Sequence, residues 1–251
     1  MPTPFNHLRI AYDLRPSLPA GVRAALSAEW PAFLLGSIAP DVQTVSGQPR
    51  EATHFFSVPL AASPPALETL LGQYPALAAP QALPAAQAAF VAGYLAHLEF
   101  DVAWVREIFE PVFGPDQTWG SFRERIYLHN ALRAHWDAVD HPALPAEAGP
   151  ALAAARPAAW LPFVHDDHLV RWRDQVAQQL QAEGQAATVE VFAERMGVEP
   201  AAFRALLASP EAMQARVFTR VAPAQLAAFR AATLARTAAV LTGYWGGPAS
   251  L

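Results

Sequence analysis

Along most of the chain, apolar residues recur every three or four positions, with alanine, arginine, glutamine and glutamate filling the intervals. That is the period of helices that bury one face. Alternating apolar and polar runs are hard to find, and the β-branched residues that favour strands are sparse. The pattern predicts an all-α protein with helices near 19–29, 64–72, 84–110, 119–139, 150–158, 166–183, 188–196, 200–208 and 210–243. The runs 84–110 and 119–139 are the most regular. Proline and glycine mark loops at GSIAPD, ASPP, FGPD, HPALPAEAGP and GGPASL, where φ is fixed or a backbone donor is missing. None of these resembles a long flexible linker, and no repeat of fixed period is found. The expectation is one domain over 1–251, with 141–162, rich in proline and alanine, as the best place for a subdomain boundary.

Composition narrows this picture. Hydrophobic residues make up 53% of 251 positions, ample material for one core. A net charge of -5 and a pI near 5.9 supply no basic field for a polyanion, so general nucleic-acid binding is not expected. All 17 basic residues are arginine, a bias in which codon usage has as large a share as chemistry. The absence of cysteine excludes a disulfide frame, a thiolate metal site and a cysteine nucleophile. The opening MPTPFNHLRIAYDLRP has no basic segment followed by an apolar run, so a cytoplasmic protein is expected. Polar residues interrupt the apolar runs before the roughly 20 positions that span a bilayer, so no transmembrane segment is expected.

One apolar helix nevertheless carries polar groups where a core should be. In FVAGYLAHLEFD, His97 and Asp101 stand four residues apart, one turn along the same face. A buried imidazole and carboxylate need a partner, a water cavity or a metal. Three other residues have settings that suit the last option: His7 in FNHLRIA, His54 in EATHFF, and Asp41 in GSIAPD, where Pro40 sets the backbone before the carboxylate. Two imidazoles and two carboxylates from Asp41, His54, His97 and Asp101 form a donor set for zinc, iron or manganese.

Together, GSIAPD, THFF, the helix with GYLAHLEFD and a histidine near the N-terminus resemble the zinc-dependent phospholipase C family, related to the P1-type nucleases. The resemblance covers roughly residues 5–135, leaving 150–245 as a more divergent helical part. It implies a multi-helix domain in which Asp41, His54, His97 and Asp101 build a metal site and His7 helps to hold another ion. It also implies zinc as the cofactor, Asp41 as bridging ligand and general base, and a phosphodiester substrate, including phospholipids. The chain departs from the family twice: Glu107 replaces a histidine and remains a candidate ligand, and His129 is followed four residues later by Arg133 in place of a glutamate. Arg133 is then a candidate clamp for substrate phosphate.

Other readings remain open. His97 and Asp101 can be a satisfied core pair, and a helical scaffold that keeps a metal site without catalysis is the alternative to an enzyme. His135, Asp137 and His141 read as the polar face and end of a helix, and Asp166 or Asp167 as a helix N-cap near His165 and His168. Phe55, Phe56, Tyr94 and Trp104 read as core. No GxGxxG, Walker-type or GxSxG motif is present. The adjacent His-Asp pair of HD phosphohydrolases is missing from the central helix.

Overall fold

The computed structural model describes residues 2–181 and 186–246. Those residues are helical and contain no strand. The chain runs through α1 (Pro4–Leu14), α2 (Ala20–Ala28), α3 (Trp30–Gly36), α4 (Gln43–Ser46), α5 (Glu51–His54), α6 (Ala66–Gln73) and α7 (Ala85–Trp104). Then follow α8 (Phe122–Asp140), α9 (Ala148–Ala153), α10 (Asp166–Gln179), α11 (Thr188–Met196), α12 (Pro200–Leu207), α13 (Pro210–Met213) and α14 (Pro223–Gly246).

The helix carrying His97 is the axis of the molecule. Its residues 88–98 are buried without a break, and α7 packs against α3, α14, α6 and α1. With its π-helical continuation Val105–Phe113, it is long and apolar enough to cross a membrane, but 94% of the relevant window is buried inside the protein. Its apolarity is explained by packing on every side. The closest approach is to α3, where two glycines meet. A Cβ on Gly36 would lie 2.0 Å from the Phe90 carbonyl oxygen, and one on Gly93 would lie 2.2 Å from that of Phe33. No larger side chain fits there without separating the helices.

Several boundaries differ from the sequence expectation for local reasons. No helix was expected before residue 19, yet α1 forms because Pro4 opens it and the Asn6 side chain accepts from the Thr3 N–H at 3.1 Å. Helix α8 starts at Phe122, where the Ser121 hydroxyl caps the Glu124 N–H. The expected helix 150–158 stops at Ala153, before Pro157. The expected helix 210–243 is two helices, broken after a π turn at Gln214–Phe218 and restarted at Pro223. His165 takes the N-cap position of α10, with Asp166 and Asp167 in the first turn. The end of the expected helix 166–183 lies outside the described residues. Buried apolar side chains from Phe5 to Tyr244 form one connected core, which includes Phe55, Phe56, Tyr94 and Trp104.

Candidate metal centre

Five of the residues singled out in the sequence converge on one point. His7 comes from α1, Asp41 from the 3-10 turn Ala39–Val42, His54 from the end of α5, and His97 and Asp101 from α7. The Asp101 carboxylate lies at the middle. Its Oδ1 is 3.4 Å from His7 Nε2, and its Oδ2 is 3.5 Å from His54 Nε2 and 3.6 Å from His97 Nε2. His54 Nε2 is also 3.6 Å from Asp41 Oδ1. The rings of His7 and His97 stack at 3.6 Å and 12°.

These separations are informative. Good N–H···O hydrogen bonds are about 2.7–3.2 Å long, and the four contacts exceed that range. A tetrahedral ion with bonds of about 2.1 Å holds its ligand atoms about 3.4 Å apart. Moreover, His7 Nε2, His54 Nε2, His97 Nε2 and Asp101 Oδ1 are buried without a hydrogen-bond partner among the described residues. Four orphaned buried donors and acceptors in one spot would be costly unless something else satisfies them. His7, His97 and Asp101 form one ligand group suited to an ion, and Asp41, His54 and His97 a second.

The supporting residues fix which nitrogen faces inward. His97 Nδ1 lies 2.9 Å from the Ser37 carbonyl, which can only accept, so Nδ1 carries hydrogen and, in the neutral ring, Nε2 keeps its lone pair. The glycine contact between α3 and α7 brings Ser37 to that position. His54 Nδ1 lies 3.1 Å from the Thr53 hydroxyl, which donates to the Arg50 carbonyl and therefore accepts from His54. The Tyr94 hydroxyl in turn donates to the Thr53 carbonyl. Just beyond His54, Phe55 adopts φ 59°, a left-handed turn that ends α5 at a cost of about 1–2 kcal/mol for a non-glycine residue. Trp172 Nε1 donates to the Ile38 carbonyl at 2.8 Å and ties the Asp41 turn to α10.

Mutual fields tune the cluster. Burial and the field of His97 hold His7 down to about 4 against the pull of Asp101. Burial also outweighs the nearby carboxylates at His54 and lowers it. For His97, burial acts downward but Asp101 and Asp41 outweigh it and raise the ring. Burial acts to raise Asp101 and Asp41, yet the surrounding histidines hold both below the usual carboxylate range. The fields therefore favour ionised carboxylates at Asp41 and Asp101 and neutral rings at His7 and His54, while His97 is held toward its protonated form until a cation displaces that proton.

His129 and Glu107 lie elsewhere, and Arg133 stands at the cavity beside the cluster. His129 Nε2 accepts from Trp104 Nε1 at 2.9 Å among Phe109 and Phe113, and burial holds the ring well below its ordinary value. Glu107 lies in the π segment and pairs with Arg236 at 2.7 Å. Neither joins the ligand groups. Arg133 bonds Asn130 Oδ1 at 2.9 Å, and burial lowers it to about 10 while Asp137, Asp41 and Asp101 pull it up. It lines a cavity of about 460 Å³ whose wall also carries Asp41 and Arg50. Asp41 is the member of the cluster open to that cavity, its side chain 20% exposed where the other four residues are at most 2% exposed.

Arg50 was not anticipated. It bonds Asp101 Oδ2 at 3.1 Å and stands four residues before His54, a helical spacing that was visible in REATH. Ser37 and Thr53, which orient the imidazoles, each adjoin a motif residue and carry no other signal. No family model, curated protein or solved structure matches the chain.

Proposed function

We propose that this protein is a metal-dependent phosphodiester hydrolase whose ion, zinc in the first instance, is held by Asp41, His54, His97 and Asp101, with His7 beside them. The observation that carries the reading is a cluster in which buried atoms of His7, His54, His97 and Asp101 lack a hydrogen-bond partner among the described residues, imidazole–carboxylate separations run from 3.4 to 3.6 Å, and Asp41 opens onto a cavity. The motif resemblance to zinc-dependent phospholipases C supports the reaction class. A divalent ion at such a site lowers the pKa of water and neutralises charge on phosphoryl oxygens. Asp41, at the cavity wall, accepts the proton of the attacking water. Arg133 orients the phosphate with a planar fork of donors. His54 and His97 hold position through Thr53 and Ser37, and the packed core behind them excludes bulk water.

Purified protein should hydrolyse bis(p-nitrophenyl) phosphate when supplied with zinc or manganese. His97→Ala should lose more than the roughly 100-fold that removal of a ligand's supporting partner can cost. Equal activity in that variant would overturn the mechanism.

One observation favours a second reading, a scaffold with a structural ion: Arg50 already occupies Asp101 Oδ2, and most of the ligand set is sealed. Structural sites are closed whereas catalytic ones keep an open position. One tightly held ion per chain with no turnover on any diester would select the scaffold.

A further inference from the structure

The cavity beside Asp41 reverses the charge balance of the chain. The protein carries 22 acidic and 17 basic residues, yet this wall holds Arg50, Arg133, Arg171 and Arg195 against the single carboxylate of Asp41. Arg50 is paired with Asp101, and Arg133 is held by Asn130 and lies 4.4 Å over the Phe192 ring. Arg171 on α10 and Arg195 on α11 make no hydrogen bond or ion pair among the described residues. Elsewhere Arg9, Arg204, Arg230 and Arg236 each find an aspartate or glutamate. With Arg50 paired to Asp101, the charges of Arg133 and of the exposed Arg171 and Arg195 face one half-open cavity and repel one another, and a bound anion relieves that repulsion.

We propose that the cavity recognises a small organic phosphate bearing a second phosphate: Arg133 holds the diester next to Asp41, while Arg171 and Arg195 grip a terminal phosphomonoester. This rests on the hydrolase reading for the diester half only. A volume of about 460 Å³ suits a small molecule, and the net charge of -5 provides no outer field to attract a polymer. Guanidinium groups match a phosphate dianion with paired donors. The same groups repel a substrate whose far end is cationic, such as a choline ester.

Two synthetic diesters with the same p-nitrophenyl leaving group distinguish these cases, one esterified to 2-phosphoethanol and the other to choline. The zinc-loaded protein should favour the phosphate-bearing ester in kcat/KM by about tenfold or more, the worth of a single charge-assisted contact. In Arg171→Gln/Arg195→Gln that preference should collapse toward unity. Calorimetric titration of the same loaded protein with glycerol 1,3-bisphosphate and glycerol 3-phosphate gives a readout without turnover. The bisphosphate should bind about tenfold more tightly, and the double variant should lose that advantage. Binding of this kind without hydrolysis of either ester would end the hydrolase reading and leave the anion site standing. A kcat/KM ratio near one in the wild type, or equal binding of the two glycerol phosphates, would overturn the proposal. So would a preference unaltered in a folded double variant.

Discussion

Asp137 is a buried carboxyl with no arginine in ion-pairing reach among the described residues; the hydroxyls of Thr3 and Thr188 donate to it instead. Burial pushes it up to about 7, with the two hydroxyls and Arg133 pulling down and Asp140 pushing up. Since the folded value lies above the ordinary 3.8, the unfolded chain releases this proton first as pH rises. Stability is therefore lost between about pH 4 and 7, on the order of 4 kcal/mol by the upper end. Asp137→Asn cannot release a proton, so its stability relative to the native protein should rise from pH 5 to pH 8 in urea denaturation. An unchanged difference would show that the carboxyl titrates normally. Sequence spacing made Asp137 look like part of a polar helix face, because nothing local to it announces Thr3 or Thr188. His97 and Asp101 were legible for the opposite reason: two polar groups one turn apart in an apolar helix need a shared explanation. Glu107 and His129 show the limit, since a π segment carries one to Arg236 and the indole of Trp104 engages the other.

At the scale of elements, the contact that governs the centre is the backbone approach of α3 to α7 at Gly36 and Gly93. In Gly93→Ala the new Cβ would also lie 2.7 Å from the Ser37 backbone nitrogen, so α3 must move. Overpacking of this kind costs about 1–3 kcal/mol. Because Ser37 orients His97, zinc affinity should fall as well, by about 10–100-fold. Gly21→Ala on α2 meets nothing within 4 Å and serves as the control. Thermal denaturation and competition with a metal-sensitive dye measure the two effects, and a Gly93→Ala protein that loses stability while keeping its zinc affinity would separate packing from orientation. Long helices such as α7 and α8 were visible from periodicity alone. The short ones that present Asp41 and His54 were not, because the 3-10 turn Ala39–Val42 and α5 have four residues each and their form depends on neighbours. Their motifs marked the ligands without revealing the elements.

For the whole molecule, one core ties α1 to α14, and the proposed ligands come from α1, the Asp41 turn, α5 and α7 at its centre, which a bound ion would tie together. An ion bound only by the folded state stabilises it by about 2.7 kcal/mol when present at a hundred times its dissociation constant. Chelation should therefore lower the melting temperature, and zinc should restore it; a melting curve indifferent to both would exclude an ion at this centre. The all-helical class followed from hydrophobic period, whereas the arginine-lined cavity was invisible in the sequence because its walls come from distant segments. That cavity also bears on exchange kinetics. Asp41 is the one partly exposed member of the proposed ligand set, so an ion held there would leave by way of the space that the organic phosphate would fill. An occupied cavity should act as a stopper: adding glycerol 1,3-bisphosphate should slow the transfer of zinc from the folded protein to a chelator, and release at the same rate would mean that the ion has another way out.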